Sequence, residues 1–196
     1  MEGLIVAFKL GFTVVALPLV VALTMSFNQE LDRFGWFGLN FKAAVFAYVI
    51  VHFFIFPLKF VYDIGQKVLG FFFRFSKPLS ELVPLFFPFF TMILLFGLWF
   101  ITANHLHAYL NEYLAFFIGL TFAMHIILTA QTFRENDPSP AKSHYLFVMT
   151  LVYVFDLFLI ICALSLISKN IAIASFWSTG MAKAKDFYLV FIHYLF

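Results

Sequence analysis

Residues 3–26 read GLIVAFKLGFTVVALPLVVALTMS, an apolar run whose only formal charge is Lys9. At 1.5 Å of rise per residue, ~20 such residues as a helix cross a hydrocarbon core of about 30 Å. Pro18 inside the run is expected to kink the helix, a defect that membrane helices tolerate. Glu2 offsets the amino-terminal charge and no small-x-small cleavage pattern follows, so the run is expected to be a resident span and not a removable signal.

The same reading extends along the chain. Stretches over 37–62, 82–104, 113–133 and 145–168 have the length and apolarity of further spans. Lys42 and Lys59 lie near the ends of the second, where long cationic side chains reach the headgroups. Pro84 and Pro88 lie in the first turns of the third, where a missing amide hydrogen costs least. The segment 63–81 mixes basic residues with Phe and is broken by Gly and Pro, which predicts an interfacial piece. The linker FRENDPSPAKSH after the fourth span is dense in turn residues. The tail 169–196 holds apolar runs of about ten residues, each too short to cross alone. It is expected to be amphipathic or re-entrant, with an irregular sixth span as the alternative. The fold class that follows is all-α: a polytopic transmembrane bundle of about five spanning helices with interfacial segments, forming a single integral membrane domain.

Composition agrees. With 64% hydrophobic residues, 11% charged residues and a mean hydropathy of +1.00, the chain has too little polar surface to coat a soluble globule. The net charge of +2 is scattered through short linkers, without the basic stripe that neutralises phosphates, so nucleic acid is not an expected partner. The partners expected are the lipid bilayer, with bound lipids, and other membrane subunits. Cys162, the only cysteine, excludes an intrachain disulfide and a Cys-based metal cage. On the amino-terminal side the linkers carry Lys67, Arg74, Lys77, Arg134 and Lys142. The opposite side carries Arg33, Lys169, Lys183 and Lys185, with Lys42 at its border, so the amino terminus is expected on the cytoplasmic or matrix side of a bacterial inner membrane or organelle membrane. Trp36, Trp99 and Trp177 are expected together at the second face, as interfacial anchors.

Ionisable groups deep in a bilayer cost about 2.5 to 3.5 kcal/mol each on insertion scales, so they persist where they face a protein interior. His52 falls about 15 residues into the second span, His125 about 12 into the fourth and Asp156 about 11 into the fifth, all near the midplane at 1.5 Å per residue. Thr121, His125, Thr129 and Thr132 recur at helical spacing and form one polar stripe. Tyr153 shares a face with Asp156, and Tyr48 stands one turn from His52. One reading is a proton or ion path through this intramembrane cluster. Another is haem b held by His52 and His125 as axial ligands, since imidazoles from parallel spans at matched depth are what bis-His ligation needs. A third is that the polar groups hold helices or subunits together. His105 and His107, with Glu112 nearby, form a candidate zinc or copper site that requires extended backbone.

No His-Glu-x-x-His, Gly-x-Ser-x-Gly, Walker or G-x-G-x-x-G pattern is present, and no soluble domain could house a nucleotide. Without a catalytic motif, a multi-pass, non-catalytic subunit of a larger membrane complex is the function expected first. A transporter or proton-conducting component using His52, His125 and Asp156 comes second, and a haem-bearing electron-transfer subunit third.

Overall fold

The structure is a computed structural model that describes residues 2–54, 58–104, 108–136, 143–168 and 171–195. Eight helices and no strands occur among these residues: α1 (Glu2–Arg33), α2 (Trp36–Phe54), α3 (Lys59–Phe72), α4 (Lys77–Phe86), α5 (Phe89–Ala103), α6 (Ala108–Asn136), α7 (Ser143–Ile167) and α8 (Ile173–Leu195). Four of them, α1, α2, α6 and α7, are long and apolar enough to cross a membrane, and α4 with α5, bent by 67° at their junction, makes a fifth crossing if taken as one broken span. The chain is therefore a multi-pass membrane protein.

Several boundaries differ from the sequence reading for identifiable reasons. The expected second span over 37–62 divides: α2 ends at Phe54, and Lys59 opens α3 as a separate helix. On α3 the buried residues are Tyr62, Gly65 and Leu69, the i, i+3, i+7 pattern of a helix with one buried side. Lys67 on its other side is exposed. The third span is also divided. Pro88 has no amide hydrogen to continue a helix and becomes the residue preceding α5, while α4 starts back at Lys77 and carries Pro84 inside it. The expected interfacial segment 63–81 is thus α3 and the start of α4, packed on each other. In contrast, α1 continues unbroken through Pro18.

The tail forms one continuous helix. Ser26 Oγ donates to the Phe176 carbonyl at 2.7 Å, Gly180 lies against Leu23, and Tyr188 Oη donates to the Val15 carbonyl. As the α8 number rises the α1 number falls, so α8 runs antiparallel along α1.

Helix α6 is the central element, packed against α2, α5 and α7, while α1 packs against α7 and α8. Where α1, α2 and α6 meet, Phe27, Phe41 and Phe122 form an aromatic cluster with centroids 5.8 Å (Phe27–Phe41) and 5.7 Å (Phe41–Phe122) apart. At Gly119 a Cβ would run into the Phe41 carbonyl, so α2 and α6 approach backbone to backbone at that point. Gly35, with φ of 60°, makes the tight left-handed turn from α1 to α2. Trp36, Trp99 and Trp177 are all exposed, at the start of α2, near the end of α5 and near the start of α8, which the chain direction puts at one face of the bundle.

Candidate functional site: a buried His–Asp pair beneath a broken helix

On α6 the side chains at 121, 125 and 129 share a face because they are spaced by four, and each reaches a different helix. Thr121 Oγ1 accepts from Thr91 Oγ1 of α5 at 3.1 Å. Thr129 Oγ1 is 2.9 Å from Tyr62 Oη of α3. Between them, His125 Nε2 lies 3.4 Å from Asp156 Oδ2 of α7. Asp156 is fully enclosed and His125 is 4% exposed. Neither His125 Nε2 nor either Asp156 oxygen has a hydrogen bond within normal geometry. At 3.4 Å the pair faces one another just beyond the length of a well-formed charged hydrogen bond.

The backbone of Leu85, in the last turn of α4, lies beside the His125 ring. Nε2 is the ring nitrogen that faces Asp156. The Tyr62 ring centroid stands 6.1 Å from that of His125, and Phe86 of α4 packs edge-on against Phe155 of α7 at 5.9 Å. The end of α4 is therefore held over the pair from two sides. A cavity of about 10 Å³ lies alongside, lined by Tyr62, Gln66, Pro88, Phe89, Thr121 and His125. That is room for about one water molecule.

The other predicted residues are elsewhere. Tyr153 Oη is 3.0 Å from Thr24 Oγ1, so it joins α7 to α1 and stands apart from the pair. Thr132 donates to the Leu128 carbonyl on its own helix. His52 lies in the last turn of α2, because that helix stops at Phe54. It lines a groove with Ile127 and Gln131 of α6, residues beyond His125 along that helix. The matched depth expected for the two histidines is not found. His125 and Asp156 converge and His52 does not join them.

A haem does not fit these residues. His125 directs Nε2 at a carboxylate, the cavity beside it has about 10 Å³, and His52 opens onto a different groove. The metal candidates His105 and His107 lie outside the described residues. Glu112 is exposed near the start of α6, and no group of three or more His, Cys, Asp or Glu among the described residues is placed to hold a metal.

Three participants were not visible in the sequence. Tyr62 was read as the end of a span, Leu85 contributes only backbone, and Thr91 sits in an apolar run with no patterned neighbour. Glu30 was missed as well: it is buried, its Oε1 accepts from Arg33 at 2.6 Å and Oε2 has no partner. Arg33 also donates to Ser175 at 2.8 Å, tying the end of α1 to the start of α8. In comparisons with protein-family models, curated proteins and solved structures, the chain matches none, so its function must be argued from this geometry.

Proposed function

We propose that the protein is a proton-handling membrane component, a transporter or conducting subunit in which His125 and Asp156 bind and pass one proton. The observation that carries this reading is the 3.4 Å approach of His125 Nε2 to Asp156 Oδ2 with no competing partner for either. A pair retained only to glue helices would gain by saturating its hydrogen bonds, because unpaired polar atoms in a low-dielectric interior are costly. This pair keeps its facing atoms unsatisfied and has space for about one water beside it. The bend of 67° between α4 and α5 supports the reading, since discontinuous helices around a central polar site recur in secondary transporters.

Reconstitution in liposomes with a pH-sensitive dye tests it. Wild type is expected to move protons down an imposed gradient, and both His125→Ala and Asp156→Asn are expected to reduce that flux at least tenfold while remaining monodisperse. Equal flux in all of them would overturn the proposal.

A second reading, a subunit of a larger membrane complex, is favoured by one observation on α8. Lys185 and Asp186 are exposed and Lys183 is half-buried, at a level between the Gly180–Leu23 and Tyr188–Val15 contacts. This is the middle of α1, where lipid disfavours charge and another polypeptide would accept it. Native purification that yields only a monodisperse single chain would count against this reading.

A further inference from the structure

The register of α8 on α1 fixes the depth of the α8 charges. Gly180 lies against Leu23 and Tyr188 reaches the Val15 carbonyl, and each step up α8 is a step down α1. Lys185 and Asp186 are therefore level with residues 17–18 of α1, near the middle of the charge-free run between Lys9 and Glu30. Both are exposed, and neither makes a hydrogen bond or an ion pair with a described residue. A lysine stem can bend toward the headgroups, but aspartate has a single methylene and no such reach. Nor do the two neutralise one another along the helix, because side chains at i and i+1 do not face each other.

Consecutive residues of a helix point about 100° apart. Phe176, Gly180 and Ala184 make the buried side of α8, and Ser178, Ala182 and Leu189 run along the opposite, exposed side. Lys185 and Asp186 flank that exposed line, one on each side of it. The small side chains of Ser178 and Ala182 suit the close helix approach of membrane interfaces. A second copy related by a two-fold axis along the membrane normal presents the same line at the same depth. The rotation sets Lys185 of each copy opposite Asp186 of the other, on both sides of the seam. Opposite charges flanking an interhelical seam select partner and orientation. An unrelated chain would need its own Lys and Asp at this depth and in this order, whereas a second copy brings both.

We infer that the exposed face of α8 is a homodimer interface, in which Ser178, Ala182 and Leu189 pack on their symmetry mates and Lys185 and Asp186 form two ion pairs between copies. This names the partner for the charges that favour the complex-subunit reading, and it rests on that reading.

Disulfide crosslinking of the full chain in phosphatidylcholine liposomes tests it, in a Cys162→Ala background. Ala182→Cys is expected to give a linked dimer under mild oxidation, well above Phe46→Cys, which is exposed on α2. Adding Lys185→Asp sets carboxylates against carboxylates and should reduce the Ala182→Cys crosslink about tenfold. The exchange Lys185→Asp/Asp186→Lys restores complementarity and should return the crosslink close to the parent level, which a misfolded helix would not do. Single-molecule photobleaching at low protein-to-lipid ratio is expected to count two copies per particle. Equal crosslinking by Ala182→Cys and Phe46→Cys, or no recovery on the exchange, would overturn the inference. A stoichiometric partner of different sequence on a single copy of this chain would also overturn it, and would leave the complex-subunit reading standing. A single copy with no partner of any kind would overturn both.

Discussion

At the scale of single residues, the α6 stripe shows how polar side chains are divided between holding the bundle and remaining available. Thr121 and Thr129 spend their hydroxyls on α5 and α3, whereas His125 and Asp156 leave facing atoms unspent. This division predicts different consequences for substitution. Removing the Tyr62 hydroxyl with Tyr62→Phe should lower stability by about 0.6 kcal/mol, and at most about 1.7 kcal/mol, the range for interhelical hydrogen bonds in membranes. Thr129→Val should do the same, and the double variant should cost little more than either single, because both delete one bond. Denaturation in detergent of the set of variants checks this, and additive losses would mean that the hydroxyls act separately. The stripe itself was legible in the sequence through its spacing of four. Its partners were not, because a lone Tyr or Thr in an apolar run carries no mark of which helix it will meet.

At the scale of elements, small residues set how closely helices approach and prolines set where they break. Gly119 gives one example, with the Phe41 carbonyl occupying the space that a side chain would need. Gly97 in α5 has nothing within 4 Å of the same position. Gly119→Ala should therefore force α2 from α6 and cost about 1–3 kcal/mol as an overpacked interface. Gly97→Ala should be neutral or stabilising by up to about 1 kcal/mol, as the helix gains a better former. Thermal unfolding of the two variants side by side tests the contrast, and equal effects would contradict the packing described here. Neither assignment follows from sequence, where both glycines stand alone in apolar runs. The division of the second expected span was not legible in the sequence either. Apart from His52, Pro57 and Lys59 the stretch from Val49 to Tyr62 is apolar, and a hydropathy window does not register that α2 ends at Phe54 and α3 opens at Lys59. Pro88 reads from sequence as a first-turn residue, whereas it precedes α5 at the 67° bend from α4.

At the scale of the whole molecule, the apolar runs foretold a helical membrane bundle because backbone groups in lipid must be satisfied within the segment. Composition alone sufficed for that. The disposition of the tail did not follow, because Lys183, Lys185 and Asp186 lower its hydropathy below that of a span while Ser26, Leu23 and Val15 of α1 supply contacts that compensate. With 23 residues, α8 is about 34 Å long, enough to cross the hydrocarbon core. Because it runs antiparallel to α1 from the Phe176–Ser26 contact to the Tyr188–Val15 contact, residues near its end lie level with the first turns of α1. The amino and carboxyl ends should therefore be on the same side of the membrane, and on the side of Lys67 and Arg74. In a Cys162→Ala background, cysteines placed at Gly3, Lys67 and His193 should react with an impermeant maleimide from the same side of sealed vesicles. A cysteine at Arg33 should react only from the other. Labelling of the His193 position together with Arg33 would mean that α8 lies along the far interface and does not follow α1 across.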